Sequence, residues 1–387
     1  MTSSDTAAPL VPPSLSLPPS QFARLQPHAY LLAHLSPPPA TNQPSVRANG
    51  RATSQFRVTS ANAGSLTHTN GSAVVRIGDT AAVCGVRAEL LHTEDIASWS
   101  VSESSSATNN TSNGDGSEQS EEDRSHIEDL NLLVPNLSLS TGCAPGFIPS
   151  APPSALAQSL SHQILSLLHS SRIVKADDLR IWYQPPNLGP EDSERDNEMD
   201  VDGQGTGSTE TQPREIKAFW VLYIDIMIIS LAGNAFDAAW ASVLAALRDT
   251  KLPKAWWDVD NDTILCSEDI NEAHKLSLRG MPIASSFCVF EGDAAAGWRA
   301  VAIPDAEKKK QQKGAQARWI LADPDGYEEN LTQEKAVVVV DKENDGKTVI
   351  LKMEKLGGWT IDTEELRQLV DISSQRWDQM KQILGQC

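Results

Sequence analysis

The sequence predicts an α+β fold. Runs of strand length are grouped in blocks, at residues 56–91, 179–229 and 286–353, and a few amphipathic helical stripes stand between and after them. The pairing of strands with a helix in each half suggests two related halves of βαβα type. Two long polar stretches interrupt this order, so the folded part is shorter than the full 387 residues.

Residues 1–20 read as a Ser- and Pro-rich disordered tail, and 21–385 as one interrupted domain. A short helix is expected at 21–35, stopped by Pro37-Pro38-Pro39. Between 56 and 91 short β-rich runs are cut by Asn70-Gly71 and Gly78-Asp79, the pattern of an antiparallel meander. An apolar segment follows at 130–139. Residues 154–172 predict a helix: Pro152 and Pro153 lead to a Ser154 cap, and Leu156, Leu160, Ile164, Leu167 and Leu168 make one stripe. Strands are expected at 179–183 and at 219–229, the latter apolar enough to be buried on both faces. Asn234 can cap the next helix, with Phe236, Trp240, Val243, Leu244 and Leu247 at helical spacing and Pro253 beyond its end. Strands return at 286–291, 319–322, 336–340 and 348–353, around a lysine-rich exposed loop at 304–318. Asp362 or Thr363 caps a last helix with the stripe Leu366, Leu369, Val370, Trp377, Met380 and Leu384.

The formal net charge of −19 at first argues against a nucleic-acid partner. Most of it sits in two stretches. Residues 93–129 hold ten carboxylates against one arginine, and residues 186–214 hold eight against two. Both are rich in Ser, Thr, Asn and Gly, and bury too little apolar surface to offset the entropy of ordering. They are expected to be disordered insertions in a nearly neutral domain, which leaves RNA open as a partner. Five scattered cysteines give no CxxC pair, hence neither a disulfide framework nor a zinc site. No charged-then-apolar leader begins the chain, and no apolar run reaches the roughly 20 residues a bilayer requires. A soluble intracellular protein is the expectation.

Several segments in order resemble the RNase PH family. Arg47-Ala48-Asn49-Gly50-Arg51 and then Arg57 look like its Arg-x-Asp-Gly-Arg opening, with Asn in place of Asp. Asn62-Ala63-Gly64-Ser65, Gly78-Asp79-Thr80 and Cys84-Gly85-Val86-Arg87 follow at matching spacing, and Val134-Pro135-Asn136-Leu137 resembles the branch that builds the ring of the eukaryotic RNA exosome. Trp220 to Asp225, Gly233-Asn234, Asp237-Ala238-Ala239, Gly280-Met281-Pro282 and Asp323-Pro324 with Glu328-Glu329 fit the second half. The resemblance implies an RNase PH-like fold, of the ribosomal protein S5 domain 2-like kind.

Active relatives phosphorolyse RNA from its 3′ end, which requires fixed cations for phosphate and an acid for the leaving oxygen. The family places an arginine near the start of the first long helix, a Gly-Thr-Arg-type turn at the second, and an aspartate soon after the paired acids. This chain has Pro152-Pro153-Ser154-Ala155-Leu156, Gly233-Asn234-Ala235-Phe236 and, after Glu328-Glu329, a segment reaching Glu334 without Asp. The expectation is a non-catalytic ring subunit supporting 3′-to-5′ RNA processing and degradation, with no cofactor. The alternative is an active phosphate-dependent exoribonuclease with Glu334 as acid; a further rival is a stand-alone binding protein using the acidic insertions as tails. The resemblance implies as partners other RNase PH-like ring subunits, S1/KH cap subunits, an associated nuclease and RNA, and places the protein in nucleus, nucleolus and cytoplasm. Arg47, Arg51, Arg57, Arg87 and Arg180 are the candidate RNA contacts. His162 and His169 lie seven apart, not at the i, i+4 spacing of a helical metal pair, so no metal site is expected. Trp220, Trp240 and Trp377 read as core, while Trp256-Trp257 has no place in the pattern.

Overall fold

The computed structural model describes residues 18–37, 44–96, 99, 126–148, 152–184, 214–292, 318–343, 346–358 and 360–385. Most of the tail, of both acidic stretches and of the lysine-rich loop lies outside the described residues. Helices α1 (Pro19–Leu25) and α2 (Pro27–Leu35) come first, then β1 (Thr59–Ala63), β2 (Gly71–Ile77) and β3 (Thr80–His92). β4 (Leu133–Leu139), α3 (Ala155–Ser171), β5 (Arg180–Tyr183) and the long β6 (Glu215–Ser230) lead to α4 (Ala235–Asp249). Four short strands follow: β7 (Lys251–Leu252), β8 (Ala255–Asp258), β9 (Thr263–Cys266) and β10 (His274–Lys275). The chain continues through β11 (Ile283–Glu291), β12 (Arg318–Ala322), α5 (Gly326–Leu331), β13 (Glu334–Lys342), β14 (Thr348–Leu356) and α6 (Thr363–Gly385).

The helix expected at 21–35 is two helices. Pro27 has no N–H to continue α1 and instead occupies the first turn of α2, where none is needed. The first acidic stretch is narrower than its composition implied, because Thr93–Asp95 forms a turn of 3-10 helix and Ile127 is buried. His126 and Trp99 both set their rings against Phe219.

Two compact units divide the chain. One comprises Met1–Phe56, Phe287–Lys335 and Leu356–Trp359. Its core gathers Leu31, Leu35, Cys288, Phe290 and Leu321, and β11 pairs with β12 antiparallel from Phe287↔Ala322 to Glu291↔Arg318. The other comprises Arg57–Ser286, Ala336–Lys355 and Thr360–Cys387. Its main sheet runs β1-β2-β3-β6-β4, with β5 also paired to β6. β1, β2 and β3 form the expected meander, β3 and β6 pair antiparallel, and β4 joins β6 parallel. Helix α4 packs along β2, β3 and β6.

Helical cover on one face decides the burial of this half of β6. Leu222, Ile224, Ile226 and Ile228 are buried, whereas the alternate residues Met227 and Ile229 are 48% and 49% exposed. The expectation of burial on both faces therefore fails for this half of the strand, which has the period-2 burial of a sheet covered on one side. Leu156 also departs from its stripe: it projects to solvent in the first turn of α3, while Leu160, Ile164, Leu167 and Leu168 are buried as expected. Ser154 caps that helix, accepting from Ala157 N. Trp220, Trp240 and Trp377 are core. Among the described residues no helix is long and apolar enough to cross a membrane.

Candidate functional site

The turn before α4 is where the chemistry expected from the sequence stands or falls. Gly233 has φ 90° and Asn234 has φ 51°, so two left-handed residues bend the chain from β6 into the helix. Asn234 caps α4 by accepting from Asp237 N, and its Nδ2 donates to Asp237 Oδ2 at 2.7 Å. The carboxylate of Asp237 is buried and also accepts from Ser286, Oγ to Oδ1 at 2.7 Å and N to Oδ2 at 3.0 Å. Phe236 beside it is buried. A helix N-terminus favours an anion through its free N–H groups and dipole. Here the chain's own carboxylate holds that position. The enclosed space lined by Asp237, Trp240, Ile283, Ala284, Arg376 and Met380 has a volume of 10 Å³. That is about the minimum for one water and too small for phosphate.

The same turn is fastened from outside by Arg57. Its Nη1 donates to Ala232 O at 3.0 Å and its Nη2 to Gly233 O at 3.1 Å. Thr80 Oγ1 donates to Gly233 O at 2.7 Å and accepts from Ala232 N at 3.1 Å. Gly78, at φ 58°, makes room: a Cβ there would lie 2.6 Å from Arg57 Cδ. The motif arginine thus fixes the backbone that precedes α4.

Arg47 and Arg51 come together elsewhere. Arg47 is 1% exposed and bonds Glu328, Nε to Oε1 at 2.7 Å and Nη2 to Oε2. Its Nη1 donates to Ala322 O at 2.6 Å and its Nη2 to Asp323 O at 3.1 Å. Arg51 reaches Asp323 O at 3.1 Å and stands 3.8 Å from Glu328 Oε2. Glu328 in turn belongs to the capping box of α5 with Asp325. Both arginines therefore secure their own unit. Arg180 is joined to Asp177 at 2.7 Å and to His126 Nδ1 at 2.9 Å. Arg87, on the open face of the sheet, is 51% exposed and lies 3.3 Å from Asp225 and 3.6 Å from Glu89. All five candidate cations thus donate hydrogen bonds to acceptors of the chain itself, and Arg87 is the one that is exposed to solvent.

Glu334, the remaining candidate acid, packs against Gly357, where a Cβ would meet its Cγ at 2.7 Å. Its Oε2 is buried without a hydrogen-bond partner among the described residues. His162 and His169 line an open hollow on α3 with Glu128, Ser166 and Arg172. Among the described residues no group of three or more His, Cys, Asp or Glu is placed to hold a metal ion.

Sequence reasoning missed the Asp237–Ser286 bond. The Asn-x-x-Asp spacing at 234–237 signals a capped helix start, but nothing local points to a serine 49 residues away.

Residues 113–253 match the model of the 3′ exoribonuclease family, domain 1. Over 94% of its length the chain is 28% identical to the exosome complex component rrp43 of Schizosaccharomyces pombe, covering 97% of that protein. It is 22% identical to the exosome complex component Rrp42 of Methanocella arvoryzae, over 87% of this chain and 90% of that one. Among solved structures, the Archaeoglobus fulgidus exosome with RNA bound to the active site matches with TM-score 0.54 at 19% identity, over 92% of this chain and 96% of that one. An archaeal exosome core matches with TM-score 0.51 at 17% identity, over 94% of this chain and 99% of that one.

Proposed function

We propose that this chain, which carries an RNase PH domain, is a non-catalytic subunit of an exosome ring that supports 3′-to-5′ RNA processing by scaffolding and RNA threading. The observation that carries the proposal is Asp237. A buried carboxylate, held by Asn234 and Ser286, completes the helix start where phosphorolysis requires a cation and a phosphate cradle. The space beside that carboxylate, which Arg376 also lines, has room for about one water and none for phosphate. The length of the similarity to rrp43 supports membership in the ring.

In this reading the partners are other RNase PH-like ring subunits, S1/KH cap subunits, an associated nuclease and RNA. The compartments are nucleus, nucleolus and cytoplasm. Arg87 is the cation carried forward as an RNA contact, since solvent reaches it. One observation favours the rival reading as an active phosphate-dependent exoribonuclease: Glu334 keeps a carboxyl oxygen without a hydrogen-bond partner among the described residues.

The test is direct. Purified chain incubated with 3′-tailed RNA and inorganic phosphate is expected to release no nucleoside diphosphate above a no-enzyme control. Product that appears with the native chain and vanishes with Glu334→Gln would overturn the proposal and establish the rival.

A further inference from the structure

The hairpin β8–β9 has no part in the site described above. It is a two-stranded sheet of its own, with Trp256 opposite Leu265 and Trp257 opposite Ile264. Opposite residues of an antiparallel pair project to the same side, so the hairpin has two distinct faces. The inner face is anchored: Lys217 Nζ lies 5.5 Å from the Trp257 ring centre and 5.8 Å from that of Tyr183 on β5. Among the described residues the outer face is exposed. Trp256 and Leu265 are each 42% exposed, Val259 near the turn is 57% exposed, and Ile270 just beyond β9 is 79% exposed.

A tryptophan and a leucine held side by side in water on a four-residue strand pair cost stability unless something covers them, since isolated hairpins are marginal. Charge around them states what kind of surface fits. Residues 254–275 contain Asp258, Asp260, Asp262, Glu268, Asp269 and Glu272 against Lys254 and Lys275. Lys254 is already 3.5 Å from Glu272. Tryptophans often stack on nucleic-acid bases, but such platforms sit in basic grooves that track the phosphates. An acidic frame repels a phosphate backbone and attracts lysine and arginine.

We propose that the outer face of β8–β9 is a docking surface for a segment of a partner protein that carries apolar side chains interleaved with basic ones. The apolar side chains cover Trp256 and Leu265, and the basic ones meet the carboxylates around them. Tryptophan surrounded by a polar rim is the composition of an interface anchor. The site is separate from the turn before α4, so it holds whether or not the chain degrades RNA.

Fluorescence anisotropy on the full chain tests this with two labelled probes, a twelve-residue peptide alternating leucine and lysine and a single-stranded oligouridylate. The peptide is expected to bind and to weaken at least tenfold in Trp256→Ser/Leu265→Ser, which leaves net charge unchanged, and again in Asp260→Lys/Glu268→Lys. Both pairs are exposed positions, and thermal melting verifies that each variant is folded. Should the serine pair fail to fold, the charge-reversal pair decides alone. Peptide binding equal in native chain and variants overturns the proposal, because attraction would then be that of the acidic protein at large. Oligouridylate binding that drops tenfold in the serine variant, with the peptide unaffected, overturns it in favour of RNA stacking.

Discussion

Arg47 makes five hydrogen bonds, to Glu328 twice and to the carbonyls of Gln55, Ala322 and Asp323. With both partners almost wholly buried, removing Arg47 leaves the Glu328 carboxylate with Arg51 at 3.8 Å as its remaining cation. Arg47→Met should therefore lower stability by about 3–5 kcal/mol, whereas Arg87→Ala, on an exposed pair, should change it by about 0–1 kcal/mol. Urea unfolding of the two variants checks the ranking. The Arg-x-x-x-Arg spacing at 47–51 was legible in sequence, but its meaning was not: the acid that absorbs Arg47 lies 281 residues on. A pairing of that range exists only once the unit has folded. Burial likewise sorts the thiols. It pushes Cys288 up to about 12 and Cys84 higher still, while Cys266 is exposed. At pH 8 a maleimide, read out by peptide mass spectrometry, should label Cys266 and spare Cys84, Cys143 and Cys288 in the native chain.

At the scale of elements, helix α4 is the piece whose start matters most. Asn234 supplies both a cap and a left-handed φ of 51°, and alanine removes one while straining the other. Asn234→Ala should cost about 2–3 kcal/mol, and Asn234→Gly, which tolerates the φ, about 1 kcal/mol. Equal losses in thermal melting would show that backbone conformation contributes nothing there. Gly71 tests the packing of β2 against α4, since a Cβ would lie 2.5 Å from Thr250 Cα and 2.6 Å from Ala246 O. Gly71→Ala should be destabilised by at least ~1–3 kcal/mol, because backbone rather than a flexible side chain must yield. The long elements were legible because their periodicity repeats over many residues: α3, α4, α6 and the meander all lie where the pattern put them. The hairpin β8–β9 was not, since four-residue strands carry too few alternations to separate from a loop. For β6 the sequence shows how apolar a strand is but not how many of its faces meet a neighbour.

On the whole-molecule scale, the formal charge of −19 is concentrated in residues 93–129 and 186–214, so the rest of the sequence is nearly neutral. Met227 and Ile229 add exposed apolar side chains to the open face of the main sheet. The proposed ring subunit would act through its edges, and stable interfaces bury on the order of 1,200–2,000 Å². The isolated chain is expected to self-associate, and coexpression with another RNase PH-like chain to yield a heterodimer by sedimentation. A monomer that ignores such a partner at micromolar concentration, in roughly the range where transient complexes dissociate, would contradict the proposed scaffold role. The strand order β1-β2-β3-β6-β4 also has a consequence in time. The strand that lies between β3 and β4 is the last of these five to leave the ribosome. At about 5–20 residues per second, the nascent chain spends roughly ten seconds with β3 as an unpaired edge and β4 without a neighbour. A chain released at residue 214 would keep that thirteen-residue edge open for good. Premature termination there is expected to yield aggregation instead of a smaller folded protein, since residues 215–230 supply the strand that joins β3 to β4.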